Sequence, residues 1–434
     1  MKLAIVTDHY EKRSDVRQLV KNLSVKVELT VFVEKLPLWD DGINFKKIPE
    51  VGKGGVALAV RFFYTLFRKR HRLRKESVSW RTRKLSGSFG FKQLIQIVFF
   101  WAEEFFPKLL SYDFYVSKLI QISEQPFNFD RVIFLSEICS DELFSSFVKK
   151  RIPVYIYIYS WDHIIKLRRV SRNHARYLVW SGEQKRELVD VHCIPDHKIS
   201  IVGSTQLCYV DQFLTVEKSL PEKVKSKTYI YFISTKGRSE FLEQEFELLD
   251  RISRFVSRLS DEYFILYRPY PNADLSRSQI QHRIAGMSNV VIDWYRDGGY
   301  VLTRDKIFQK YSKIVDAALV VHTGGTIAIE VSLLGCEAVY FNFAEDDAGS
   351  QTKYPPYLRL GRINRQYHLR RYVNRDFENV IGSYQNLELA IKKVVCEHRS
   401  ISTEFNNEVA SNFPVKSFEM LTQDFLNLEL DGRG

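Results

Sequence analysis

The stretch Ala317-Ala-Leu-Val-Val-His-Thr-Gly-Gly-Thr-Ile-Ala-Ile-Glu-Val-Ser-Leu-Leu-Gly-Cys-Glu-Ala-Val-Tyr-Phe-Asn-Phe343 decides the fold. Its pattern predicts an apolar strand over Ala317 to Val321, a polar turn over His322 to Thr326 and a helix over Ile327 to Leu334. Gly335 stops the helix, and a second apolar strand runs from Ala338 to Phe341. That is one turn of an α/β unit. A buried parallel strand feeding a glycine-and-hydroxyl turn, and then a helix, leaves backbone N–H groups unpaired where an anion can sit. Gly324 and Gly325 allow close backbone approach, the Thr323 and Thr326 hydroxyls can donate, and Glu330 follows one helical turn later, in reach of a ribose or sugar hydroxyl. The plain alternative is a turn that needs its glycines for geometry and a Glu330 that faces solvent.

Outward from this stretch the same rhythm repeats. On its N-terminal side the pattern predicts strands over Tyr229 to Ile233, Tyr263 to Tyr267 and Val290 to Ile292, with a helix over Phe241 to Leu259 and a short one over Asp305 to Tyr311. Nearer the N-terminus come strands over Leu3 to Val6, Val25 to Val33, Arg131 to Leu135, Pro153 to Tyr159, Tyr177 to Trp180 and Ser200 to Val202. Ser181-Gly182-Glu183 caps a helix through Val189. Strand, polar tip and helix in alternation describe a parallel sheet covered on both faces. The expected fold class is α/β, with two Rossmann-like doubly wound parallel-sheet domains facing a cleft. Residues 1–210 form the first domain and 225–400 the second. The charged residues from 211 to 228 read as a linker. Residues 401–434 carry a helix over Phe418 to Leu428 that can cross back to the first domain.

A chain of 434 residues with 45% apolar and 14% aromatic content is long enough for two buried cores. Five cysteines without CxxC spacing argue against a disulfide scaffold and a zinc site. With no secretory leader at Met1, the expected location is cytoplasmic. The net charge of +12 is local, because eleven Lys/Arg against the single acid Glu76 lie between Arg61 and Lys92. Arg68, Lys69, Arg70, Arg72, Arg74, Lys75, Arg81, Arg83 and Lys84 sit beside the apolar run Val56 to Phe67, in a helical insertion over about 56–120. Such a block suits an anionic membrane surface or a lipid-linked acceptor, a nucleic-acid backbone, or a solvated helix face. The reading adopted is peripheral attachment to the inner face of the membrane, without nucleic acid.

The strand tips sort by charge. Lys236, Arg238 and Arg268 join the His322 to Thr326 turn as candidate binders of a donor's phosphates, which an enzyme without metal must meet with cations and N–H groups. The first domain offers Asp8, His9, Glu137, Asp162 and His163. Asp162 is the first candidate to take a proton from an acceptor hydroxyl at about 3 Å, with Asp8 and His9 next, and the alternative for Asp162 is a helix N-cap. Trp161, Glu137 and His163 are the candidate acceptor contacts, with Trp161 a sugar-stacking ring. No metal motif is present, since Asp346-Asp347 lacks a ligand spacing, and no cofactor is expected beyond a nucleotide-sugar substrate.

Ser160-Trp161-Asp162, Val179-Trp180-Ser181-Gly182-Glu183-Gln184-Lys185-Arg186-Glu187, Ile194-Pro195, Ile201-Val202-Gly203 and the Val321 to Gly335 segment resemble bacterial surface-polysaccharide glycosyltransferases of the two-Rossmann-domain GT-B type. The resemblance covers about 155–345. It implies a lipopolysaccharide or capsule enzyme that moves a sugar, without metal and with inversion, from a nucleotide sugar in the second domain to a lipid-linked or saccharide acceptor in the first. Capsular sialyl- and Kdo-transferases and polyol-phosphate polymerases are similar in layout but carry His-Pro where this chain has Arg268-Pro269. Arginine neutralises a phosphate and cannot act as an acid, so a uridine or guanosine diphosphate sugar is favoured over a cytidine one. A nucleotide-sugar epimerase and a non-enzymatic basic protein docked on membrane or nucleic acid are the other classes this layout allows.

Overall fold

The computed structural model describes residues 1–8, 10–11, 13–37, 42–49, 112–113, 116, 127–135, 138–161, 164, 170–218, 228–235, 237, 239–271, 273–294, 303–342 and 376–428. The basic insertion, Arg68 to Lys84 included, lies outside them. The chain divides into two compact units, residues 1–208 with 416–434 and residues 209–415.

Unit 1 is built on seven strands, β1 (Lys2–Thr7), β2 (Glu28–Val33), β3 (Asn44–Lys47), β4 (Arg131–Leu135), β5 (Val154–Tyr157), β6 (Ala175–Val179) and β7 (Ile199–Ile201), in the order β3-β2-β1-β4-β5-β6-β7. Every pairing is parallel. β4 and β5 are buried at every residue, as strands covered on both faces must be. Helix α1 (Ser14–Ser24) turns Val16, Leu19, Val20 and Leu23 inward at helical spacing. Helices α2 (Asp141–Lys149) and α3 (Gly182–His192) follow β4 and β6, and each begins on a serine, Ser140 and Ser181, whose side chain accepts from the third residue on. The C-terminal segment belongs to this unit. Its helix buries Phe418, Leu421 and Phe425, and the Arg131 guanidinium donates to the carbonyls of Leu426 (3.2 Å) and Leu428 (2.9 Å) at the helix end.

Unit 2 is built on β8 (Tyr229–Ile233), β9 (Phe264–Arg268), β10 (Val290–Ile292), β11 (Leu319–His322), β12 (Ala338–Phe341) and β13 (Val380–Ile381), in the order β10-β9-β8-β11-β12-β13 and parallel throughout. Helix α4 (Cys208–Lys218) takes up the first part of the segment whose charge reads as a linker, residues 211–218, and its Phe213 packs edge-on against Phe308 and Tyr311. The long α5 (Ser239–Leu259), α6 (Arg277–Ile284), α7 (Arg304–Asp316), α8 (Thr326–Leu333), α9 (Tyr384–Val395) and α10 (Glu404–Asn412) complete the unit, and the C-terminal helix of unit 1 is α11 (Phe418–Leu426).

Both sheets carry the Rossmann strand order, so the expected two-domain α/β fold is present. The strand order reverses between β1 and β4 in unit 1 and between β8 and β11 in unit 2, and in open α/β sheets ligands bind beyond the carboxyl ends of the strands at such a reversal. Among the described residues no helix is long and apolar enough to cross a membrane.

Candidate functional site

The reversal point of unit 2 gathers the tips of β8 and β11. β11 ends at His322, and Thr323, Gly324 and Gly325 lead into α8. Gly324 and Gly325 have φ of 102° and 85°, in the region that glycine alone enters without strain. A Cβ on Gly324 would stand 3.1 Å from the Tyr340 hydroxyl, so this position excludes side chains on two counts. Gly325 is the N-cap of α8, and because glycine has no side chain, no side-chain hydrogen bond caps the helix. The first turn of α8 contains no acidic residue either. Among the described residues, then, neither a capping side chain nor a first-turn acid answers the positive end of the helix dipole.

Beneath the turn lies a hydroxyl and carboxylate cluster that the sequence reading did not single out. Glu245 of α5, fully buried, accepts from the Ser234 hydroxyl, from the Thr235 amide (3.1 Å) and from the Thr323 hydroxyl (2.5 Å). Thr235 and Thr323, one from each strand tip, meet oxygen to oxygen at 2.5 Å. A signal for Glu245 was present: it falls on the apolar face of α5, beside Leu242, Phe246 and Leu249, where a carboxylate is out of pattern.

Tyr340 of β12 stacks on His322, ring centroids 5.4 Å apart, and its buried hydroxyl has no hydrogen-bond partner among the described residues. Burial holds that phenol in its protonated form, well above the usual tyrosine range. Burial also pushes His322 down to about 3, so its ring is neutral. The Gly324 amide donates to His322 Nδ1 at 3.2 Å, which leaves the ring proton on Nε2. His322 thus shapes the turn as an acceptor and brings no charge to it.

The other sequence candidates fall elsewhere. Arg268 is buried, and its Nη1 donates to Asp293 (2.5 Å) and Tyr231 (3.1 Å). Asp293 also takes the Tyr231 hydroxyl and the Lys313 ammonium. Burial alone would raise the Asp293 carboxyl, but Arg268 and Lys313 more than offset it and hold it below the usual range. The guanidinium expected at a phosphate is thus engaged inside the unit. The Glu330 carboxylate, expected near a sugar, is taken up by the Lys310 ammonium at 2.6 Å and the Tyr311 hydroxyl at 3.2 Å, both on α7. Thr326 opens α8 half-buried.

In unit 1, Asp8 stands half-buried at the end of β1. Trp161 is only 4% exposed, so its ring presents no open face for a sugar to stack on. His9, Glu137, Asp162, His163, Lys236 and Arg238 lie outside the described residues. Among the described residues no group of three or more His, Cys, Asp or Glu is placed to hold a metal ion.

No protein-family model matches the chain, and no curated protein matches it. Solved structures do. One assigned as a UDP-N-acetylglucosamine 2-epimerase from Listeria monocytogenes superposes with a TM-score of 0.51 at 10% identity, over 98% of this chain and 94% of its own. The S. aureus MnaA–UDP co-structure superposes with a TM-score of 0.51 at 11% identity, over 98% of this chain and 95% of its own. At such identity the likeness establishes the fold, two Rossmann-like domains of the GT-B kind. It also corrects the reading from sequence. A fold neighbour assigned as a UDP-N-acetylglucosamine 2-epimerase does not support a lipopolysaccharide or capsule glycosyltransferase, a sugar transfer onto a lipid-linked or saccharide acceptor, or an acceptor as partner. The local motifs misled because strand, glycine turn and helix at a diphosphate serve both chemistries equally well, and the fold does not choose between them.

Proposed function

We propose that the chain is a nucleotide-sugar epimerase that holds a uridine diphosphate sugar by its diphosphate at the reversal point of unit 2 and inverts one carbon of that sugar without a second substrate. The observation that carries this is the uncapped start of α8, with Thr323, Gly324 and Gly325 before it and the unpartnered Tyr340 hydroxyl beside it. A diphosphate supplies the negative charge and the acceptor oxygens that this end of the helix lacks. The UDP of the S. aureus MnaA co-structure and the 2-epimerase assignment of the Listeria protein point to the same ligand class. With N–H groups, hydroxyls and a helix dipole to meet the diphosphate, the reaction is proposed to run without metal.

The test is incubation with UDP-N-acetylglucosamine and a panel of other UDP- and GDP-sugars, with and without EDTA, followed by NMR of the sugar ring protons and by calorimetry with UDP. The expected result is UDP binding in the micromolar range and a second sugar epimer in the absence of any acceptor, both insensitive to EDTA. An absence of binding tighter than millimolar, or hydrolysis without epimer, overturns the reading. Attachment of the basic 61–92 segment to membrane is a separate proposal, tested by sedimentation with vesicles rich in anionic lipid.

A further inference from the structure

The hydroxyl protons at the unit 2 strand tips can be assigned by accounting. Each threonine hydroxyl has one proton to give. Thr323 gives its proton to Glu245 at 2.5 Å, and Thr235 Oγ1 lies 2.5 Å from Thr323 Oγ1 and 3.4 Å from the same carboxylate oxygen, so the Thr235 proton goes to Thr323 in the shorter contact, with the carboxylate as its other acceptor. The chain of donors therefore runs from Thr235 to Thr323 to Glu245, and it starts at the residue next to the turn: a Cβ on Gly325 would lie 3.6 Å from Thr235 Cβ. Thr323 is fully buried and Thr235 half-buried, and with both protons directed toward Glu245 neither hydroxyl has one left for a diphosphate, so what the pair sets is the position of the turn's backbone. A carboxylate at full burial among apolar neighbours is costly unless bonded, and its donors here come from both strand tips. Breaking it frees both tips at once.

We propose that Glu245 is a positioning residue of the diphosphate site: it clamps the tips of β8 and β11 together and so fixes where the α8 turn presents its backbone to the diphosphate. The inference rests on the proposed function above. Alignment and charge have different consequences. A glutamine keeps the alignment, because its carbonyl oxygen can accept from Thr323 and the Thr235 amide while its N–H2 donates to Ser234, and it removes a negative charge near the diphosphate. An alanine removes both the charge and the alignment.

The experiment measures UDP affinity by calorimetry, with KM and kcat for the UDP-sugar, on wild type, Glu245→Ala, Glu245→Gln, Thr323→Val and Thr323→Ser. E245A is expected to weaken UDP by about tenfold, the effect of one hydrogen bond to a charged group, and to raise KM more than it lowers kcat. E245Q recovers affinity to within about threefold of wild type or better. T323V behaves like E245A and T323S like wild type, which keeps the test decisive if E245A does not fold. Unimpaired E245A and T323V, or an E245Q as weak as E245A, overturns the assignment. A wild-type chain that binds no UDP overturns this assignment and the proposed function together, whereas wild-type binding with unimpaired variants overturns this assignment alone.

Discussion

The two sheets share a strand order and differ in what fills the helix starts at their reversal points. In unit 1, α1 carries Asp15 in its first turn, and α2 carries the Ser140 cap with Asp141 and Glu142. Asp15 is 1% exposed and takes the Thr205 hydroxyl at 2.8 Å and Arg13 Nε at 3.1 Å. In unit 2, α8 starts on Gly325 with no side-chain cap and no acid. Unit 1 answers its helix dipoles from within the chain, and unit 2 has one helix start without a cap or a first-turn acid, which is where the diphosphate is proposed to bind.

The sharpest way to break this difference is to give α8 the acid that α1 already has. Thr326→Asp should stabilise the helix by about 0.3–1 kcal/mol while placing a negative charge where the diphosphate is proposed to bind. UDP affinity should fall by about a hundredfold or more, on the order of 2.7 kcal/mol, with no loss of melting temperature. A T326D protein that binds UDP normally would remove α8 from the site.

Next in size is Gly324→Ala. It meets a φ of 102° and the Tyr340 hydroxyl at 3.1 Å, and should lower unfolding free energy by about 2 kcal/mol, read by urea denaturation. Adding Tyr340→Phe should return part of that loss by making room, and the backbone part should remain.

On the unit 1 side, Asp15→Asn should cost about 1–2 kcal/mol of stability, because Arg13 and Thr205 lose a charged acceptor. It should leave UDP affinity unchanged. A drop in affinity would show that the filled and unfilled helix starts are coupled.

The smallest effect is the pH response of the turn. His322 is held down to about 3 against an ordinary value of 6.5, so above 6.5 it is neutral both folded and unfolded and contributes no pH dependence. Below 6.5 the unfolded chain takes up a proton that the folded chain refuses, and stability falls as pH falls until the folded value is reached. From pH 6.5 to 5.5 the loss should be about 1 kcal/mol, and His322→Gln should flatten that slope in urea titrations.

The rhythm of strands and helices was legible because it is local. Residues a few positions apart declare a strand or a helix by their spacing, and β12 runs over Ala338–Phe341 as its apolar run predicts. α4 was misread because six charges near its end hide one apolar contact, Phe213 on Phe308 and Tyr311, that only packing supplies. α6 was missed although its Ser276–Gln279 capping box is a local signal. The turn at 322–326 was legible as a turn because two glycines, both at positive φ, directly follow an apolar strand.

By itself the sequence determined two parallel α/β sheets and a glycine turn at a helix start, since hydrophobic period and glycine placement act over a few residues. Tertiary structure decided which polar groups remain for a ligand. Arg268 finds Asp293 across 25 positions, Glu330 finds Lys310 across 20, and Thr323 finds Glu245 across 78. A buried charge must be paired wherever the fold brings a partner, and no spacing in the chain announces which partner that is.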